Sequence, residues 1–387
     1  MRASTLSLAT CTLMVWMVSL PSPARAQAAR AVVPIGPPNA TLKEEFTRLL
    51  SVRELASGRV LLTDDQDSRI IAADFRTDAV RTLGRAGDGP GEYRTVGRLW
   101  DIGGDSTFMS VPYRSRWILL HRDSIVSTLT GQVPIVLKAG GGVVRGADAR
   151  GAVLTLAPTV YVPGTRYTAP DSFTYVRINR ATLKLDSVLK VANTDKDIKV
   201  YPRSTGAPPP PDKRMYSISL KARDQIAVFP DGVVAILRGN PYRVDWCLAP
   251  GKPCTIGALQ ERESRAWGDA DKSAYLKAMN ALAAWPPTTN VDQTFGWPEK
   301  MPPFATPGGP DEANFWPTTS GNVVVERLPN ASSALFSYDV IDSHSRLVAK
   351  FSVPPGHRIL GFGAKSAYVI HVDDDQVQRL QRHSWSY

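Results

Sequence analysis

Residues 58–75 read GRVLLTDDQDSRIIAADF, and the order of signals in this stretch decides the fold. Gly58 opens it, Arg59 to Thr63 is a short, unevenly alternating apolar run, Asp64 to Ser68 is a polar turn, and Arg69 to Phe75 is a second run rich in strand formers. Strand, acidic turn, strand reads as the inner part of a four-stranded blade. The same opening recurs at Gly104 (GDSTFMSVPYRSRWILL), Gly151 (RGAVLTLAPTV), Gly232 (DGVVAILRGNPYRVDWC), Gly321 (SGNVVVERL) and Gly363 (GAKSAYVIHVDDDQVQRL). Successive openings lie about 46, 47, 81, 89 and 42 residues apart, and repeats of roughly 40–50 residues built from short strands are the signature of propeller blades. The expectation is an all-β, six-bladed β-propeller in one domain, residues 29–387, with seven blades possible if a wide interval hides another pair of strands.

The two wide intervals imply insertions. The first, about 194–216, carries Asp195, Asp197 and the run Pro208 to Pro211, whose missing amide donors exclude it from a central strand. The second, about 259–316, contains the one helical pattern in the chain, in which Tyr275, Leu276, Met279, Leu282 and Ala283 form an apolar stripe. Asp269 or Asp271 is placed to cap its start and Pro286 to end it. A Pro- and aromatic-rich stretch follows, with Trp285, Phe295, Trp297, Phe304, Phe315 and Trp316. It is too apolar to float free and is expected to fold over a face or flank of the ring.

The first unit ends in GRAGDGPGEY, residues 84–93. With Gly58, Asp64, Asp65, Arg69-Ile70 and then Gly84, Gly87, Gly89, Pro90, Gly91, Glu92 and Tyr93, the segment resembles the NHL-type six-bladed propellers of bacteria. The later copies lack the Gly-Pro-Gly-Glu loop, so the likeness is specific at one unit and a matter of pattern over the others. What the resemblance implies is a central channel and, for most members, no assigned reaction. The glycine-rich loop itself is no phosphate cradle, because it lacks the Gly-Lys-Ser/Thr ending and no helix pattern follows it. Its glycines suit a tight connection, with Glu92 tying down exposed amides.

The clusters Asp64, Asp65, Asp67 and Asp373, Asp374, Asp375 lack the Gly and distal Glu of an EF-hand loop and read as turn-capping side chains. The five histidines, His121, His344, His357, His371 and His383, show no ligand spacing such as His-x-x-x-His. No Gly-x-Ser-x-Gly elbow or reactive cysteine offers a covalent nucleophile. Propellers resembling amidating lyases or gluconolactonases hold a channel metal, so a metal-dependent hydrolase or lyase is the competing reading, with a divalent cation as its cofactor. The favoured reading is a binding protein needing no cofactor. Propellers gather one inner edge per blade at a channel mouth, and insertions shape that mouth. Arg and aromatic side chains supply contact area together with donors, which makes Arg145, Tyr242, Arg243, Trp297, Trp316 and Arg327 the candidate ligand-binding residues.

Residues 1–28 read as a signal peptide, with Arg2 as the n-region, LSLATCTLMVWMVSL as the apolar core and Ala24-Arg25-Ala26 or Ala26-Gln27-Ala28 as the cleavage signal. The apolar run is shorter than the roughly 20 residues that span a bilayer, so a periplasmic or secreted protein without a membrane span is expected. Of three cysteines, Cys11 leaves with this segment. Cys247 and Cys254 lie symmetrically about Pro250-Gly251 and read as a hairpin disulfide, with two free buried thiols as the alternative; zinc would need two further ligands. The net charge of +10 is scattered, with no run of five like charges, which reads first as a solubilising balance and second as attraction to acidic ligands or anionic envelope polymers, rather than as a nucleic-acid surface. A monomer is expected.

Overall fold

A computed structural model of the chain describes residues 30–111, 116–130, 144–157, 171–192, 222–248, 252–260, 266–282, 300–304 and 313–387. Six antiparallel sheets form a six-bladed propeller. From the axis outward, blade 1 consists of Leu49–Glu54, Val60–Asp64, Arg69–Asp74 and Ala79–Leu83. Blade 2 consists of Leu99–Asp101, Ser106–Val111, Arg116–His121 and Ser124–Thr130, and blade 3 of Val144–Ala147, Ala152–Leu156, Ser172–Asn179 and Leu185–Ala192. Blade 4 has three ladder strands, Gln225–Val228, Val234–Gly239 and Tyr242–Cys247. Blade 5 is built from Phe315–Pro317, Val323–Arg327, Ser337–Ile341 and Leu347–Ser352, and blade 6 begins with His357–Phe362, Ser366–Val372 and Gln378–Ser384. The innermost strands neighbour one another in chain order, and the innermost strand of blade 6 lies beside that of blade 1, so the ring is closed.

The N-terminal segment completes two blades. Pro38–Thr41 pairs antiparallel with Gln378–Ser384 as the outermost strand of blade 6, and Val32–Pro34 runs parallel to Leu347–Ser352 as a fifth strand on blade 5. Between this strap and blade 1, Leu42 and Phe46 are buried, and Leu42 N–H donates to Leu380 O at 3.0 Å.

The repeated glycines mark a different place in the blade from the one the sequence suggested. Each stands in the turn between the innermost and second strands, so strand, acidic turn, strand in residues 58–75 is the middle of blade 1, and the innermost strand precedes the glycine. Gly58, Gly104, Gly151, Gly232 and Gly321 have φ of 79°, 55°, 90°, 85° and 81°, a left-handed conformation that a Cβ disfavours. The turn is what repeats most faithfully because its backbone demands one residue type, whereas the innermost strands are short and varied.

Why the first strand alternates unevenly is also clear. A central blade strand is covered on both faces: Val60 and Leu62 pack in the core that joins blades 5, 6 and 1, while Leu61 packs toward blade 2 with Ile70, Met109 and Ile118. All five residues of Val60–Asp64 are buried. Asp64 is tolerated because its carboxylate accepts the N–H groups of Thr47, Arg48 and Asp67 at 3.0, 3.2 and 3.3 Å. Asp373 caps its turn in the same way, accepting from Asp375 and Val377. In the glycine-rich loop, Glu92 accepts Gly89 N–H at 2.8 Å and pairs with Arg85 at 2.7 Å, while Arg116 from blade 2 donates to the Gly87, Asp88 and Glu92 carbonyls.

Cys247 and Cys254 are disulfide-bonded, with Cα atoms 4.2 Å apart. The bond holds residues 255–259 against the third strand of blade 4, where Thr255 bridges to Trp246 and Leu259 to Arg243 in place of a full outer strand. Closing this eight-residue loop contributes about 2.5 kcal/mol by the chain-entropy relation.

The insertion expected over 194–216 lies outside the described residues, as do Trp285, Phe295 and Trp297 of the second one. Phe315 and Trp316 belong to the innermost strand of blade 5, so that insertion ends before them. Its helix spans Asp269–Asn280, and Asp271 rather than Asp269 caps it, accepting Gly268 N–H at 3.1 Å and Ala331 N–H at 2.8 Å. Tyr275 packs with Trp267, Met301 and Leu328, while Ala278 and Leu282 reach the core of blades 5, 6 and 1. Among the described residues no helix is long and apolar enough to cross a membrane.

Candidate binding face

Strand direction alternates within a blade, so connections from innermost to second strand and from third to outermost lie on one face of the ring, and the other two kinds lie opposite. On the first face the innermost-to-second turns span no more than five residues. On the second, the chain leaves and re-enters with 84–98, 131–143, 193–224 and 260–314 between one blade and the next, and 157–171 and 328–336 within blades. The strand ends joined by these long connections therefore all lie on one face, and the disulfide loop starts from the other.

Two candidate residues meet beneath that face. Tyr242, first in its strand in blade 4, donates its hydroxyl to Asp339 Oδ2 at 2.8 Å, and Arg327 of blade 5 pairs with the same oxygen at 2.6 Å while its guanidinium lies 5.1 Å from the centre of the Tyr242 ring. Arg327 also donates to Pro303 O at 2.6 Å, and Phe304 covers the other side of the tyrosine. Burial and the Asp339 carboxylate push the Tyr242 hydroxyl well above its ordinary range. Burial works against a charge on Arg327, yet Asp339 outweighs it and the guanidinium is held more firmly charged than usual.

Blade 4 carries a second copy of this arrangement. Arg238 is fifth in its strand, as Arg327 is, and Asp245 stands opposite the third residue of that strand, as Asp339 does. Arg238 pairs with Asp245 at 2.8 Å and with Asp224 at 2.6 Å, and Arg243 joins Asp245 at 2.8 Å. Burial pushes the Asp245 carboxyl up, but Arg243, Arg238 and the Gly257 N–H together hold it below the usual carboxylate range. Blade 5 adds Tyr338, which donates to Glu326 at 3.1 Å, while Arg358 grips both Glu326 oxygens at 2.9 and 2.8 Å. Charge-assisted pairs of this kind are geometrically specific, and they stitch neighbouring blades near the insertion-bearing face.

The remaining candidates are dispersed. Trp316 is buried and donates its indole N–H to Leu360 O at 3.2 Å, joining blades 5 and 6. Trp297 lies outside the described residues. Arg145 stands on the innermost strand of blade 3 and is half-buried. The residues that complete these clusters, Asp224, Asp245 and Asp339, escaped the sequence reading. The available signal was an aspartate inside an apolar strand, in YRVDWC and SYDVI, each preceded by an arginine at the end of the adjoining strand.

Histidines gather in blade 6. His357 and His371 pair across two strands with ring centres 4.4 Å apart, and His383, buried, contacts Gly36 O of the N-terminal strap at 2.7 Å. Burial depresses both His357 and His383 below 6.5. The unfolded chain therefore takes up protons first as pH falls, so this stability is complete above about 6.5 and is lost below it, at no more than about 1.4 kcal/mol per histidine per pH unit. The melting temperature is expected to fall between pH 7 and pH 5, and the fall to flatten in a His357→Gln/His383→Gln variant; equal slopes would contradict this origin.

Among the described residues no three His, Cys, Asp or Glu side chains are grouped to hold a metal ion. No family model and no curated protein matches the chain. Solved structures similar in fold include a member of the DUF4221 family from Bacteroides vulgatus (10% identity, 90% of this chain and 94% of that one, TM-score 0.47). A protein described as exported, from Bacteroides fragilis, is 10% identical over 92% of this chain and 95% of its own, with TM-score 0.46. The calcium-binding protein regucalcin from Agrobacterium tumefaciens is 10% identical over 93% and 98%, with TM-score 0.44. At these identities the likeness is one of fold.

Proposed function

We propose that this chain is an exported β-propeller that binds a ligand or an envelope protein at its insertion-bearing face. The observation that carries this reading is the asymmetry of the ring: the strand ends joined by long connections stand on one face, and tight glycine turns close the other. Such an arrangement builds a recognition surface on a rigid frame. Export is supported by the N-terminal signal pattern and by the Cys247–Cys254 disulfide, which belongs in an oxidising compartment. The first unit, from Gly58 to Tyr93, supports an NHL-type assignment.

Native mass spectrometry of protein recovered from the periplasm or medium tests the reading, together with metal analysis of the same sample. The expected species is the chain shortened by about 26–28 residues, carrying a bound small molecule or a stable protein partner and no stoichiometric metal. A stoichiometric divalent ion, removed by chelator together with a hydrolytic or lyase activity, would overturn it in favour of the enzyme reading.

A further inference from the structure

Half-buried arginines in this protein are committed almost everywhere. Arg53 pairs with Asp101, Arg177 with Asp148, Arg238 with Asp224 and Asp245, Arg327 with Asp339 and Arg358 with Glu326. Two are not: Arg382 lies over the Phe75 ring at 5.1 Å, and Arg145 has no hydrogen bond and no ion pair among the described residues. Its position is unusual as well. The ladder between the innermost and second strands of blade 3 shifts register between Val144 and Gly146, so Arg145 is the extra residue of a β-bulge on the strand nearest the axis. Bulges of this kind re-aim a side chain. Gly146 fixes the strand close against blade 4, because a Cβ there would meet Val228 at 2.3 Å.

Tyr175 of blade 3 is the second uncommitted group. It is 5% exposed and packs with Ile226, Ile236 and Cys247 of blade 4, and its hydroxyl has no hydrogen bond among the described residues. Burial raises its pKa, the Arg145 charge draws it back down, and Asp224 and Arg238 act on it in opposite senses. The ladders of blade 3 set Val144 opposite Thr155 and Leu156 opposite Tyr175, so Arg145 and Tyr175 lie at neighbouring register with one strand between them, and Tyr175 packs on the two strands of blade 4 that carry Arg238 and Asp245, toward the insertion-bearing face. Counting Arg145, Arg238 and Arg243 against Asp224 and Asp245 leaves one positive charge uncompensated there.

Holding a half-buried guanidinium and a buried phenol without a hydrogen-bond partner among the described residues is unfavourable. An anion would satisfy both at once, the guanidinium offering a fork and the hydroxyl a third donor. We infer that Arg145 and Tyr175 form an anion subsite where blades 3 and 4 meet, receiving the carboxylate or phosphate group of a small ligand. This inference rests on the binding-face reading above and names the ligand chemistry within it.

Calorimetric titration of the mature protein at low ionic strength with inorganic phosphate and, separately, with citrate tests the subsite. One of the two is expected to bind, phosphate identifying a phosphoryl group and citrate a carboxylate. Arg145→Gln should weaken that binding about tenfold or more and Tyr175→Phe by a smaller factor, with Arg145→Lys intermediate. Because Arg145 has no hydrogen bond or ion pair among the described residues, the melting temperature of Arg145→Gln should equal that of the wild type. The inference is overturned if neither anion binds the wild type, or if Arg145→Gln binds as tightly as the wild type. A ligand still retained by Arg145→Gln in native mass spectra would remove this subsite while leaving the binding face standing, whereas loss of all ligand from the wild type would remove the face itself.

Discussion

Replacing Asp339 with Asn should destabilise the protein by about 3–5 kcal/mol, the range found when one member of a buried ion pair is removed. Asp339 is 3% exposed at its side chain and takes both the Tyr242 hydroxyl and the Arg327 guanidinium. An amide can still accept one hydrogen bond, but it removes the negative charge that balances Arg327, whose remaining neighbours are the neutral Pro303 O and Tyr242 ring. For a mature chain of this length the loss corresponds to a fall in melting temperature of roughly 4–7 °C. The variant Tyr242→Phe/Arg327→Met/Asp339→Leu removes every polar member together and should lie within about 2 kcal/mol of the wild type. Chemical denaturation of the three proteins decides the matter. If the single replacement proves as mild as the triple, the cluster is not a structural clamp, and Tyr242 and Arg327 return to the ligand-binding role their composition suggested.

That comparison bears on what could be seen in the sequence. The ring was legible because a positive-φ turn admits few residue types: five of the six glycine openings stand at φ between 55° and 90°, and each marks one blade. The strands between them were less legible, since a strand covered on both faces loses its period-two signal, as Val60–Asp64 does. Individual site residues were the least legible. Tyr242, Trp316 and Arg327 have the composition of a binding surface, and here that composition joins one blade to the next. Their partners Asp339 and Leu360 lie 97 and 44 residues away from Tyr242 and Trp316, a separation that no local pattern encodes. Nor did the sequence disclose that the strap would reach two blades, because Val32–Pro34 and Pro38–Thr41 are short and carry little apolar periodicity.

How the ring stays closed can be decided from magnitudes. The strap residues Val32 and Val33 are 49% and 53% exposed, so Val32–Pro34 contributes mainly ladder hydrogen bonds, each worth about 0.5–1.5 kcal/mol net and offset by the ordering of a chain end. Deleting residues 30–37, which leaves Pro38–Thr41 on blade 6, should therefore cost only about 1–2 kcal/mol. Leu42 and Phe46 are 0% and 2% exposed within the core that joins blades 5, 6 and 1. Phe46 also exchanges backbone hydrogen bonds with Gln378 at 2.9 and 3.0 Å, and Gln378 Oε1 accepts Leu49 N–H at 2.8 Å. Leu42→Ala should cost about 2–5 kcal/mol and Phe46→Ala about 3–5 kcal/mol, transfer and cavity terms together. The double variant should be the least stable of the set, with protease cleavage appearing first between residue 30 and blade 1 as the last blade loosens from the first. If the deletion instead outweighs both alanine variants, closure depends on the outer strands, and the two buried side chains are ordinary members of the core.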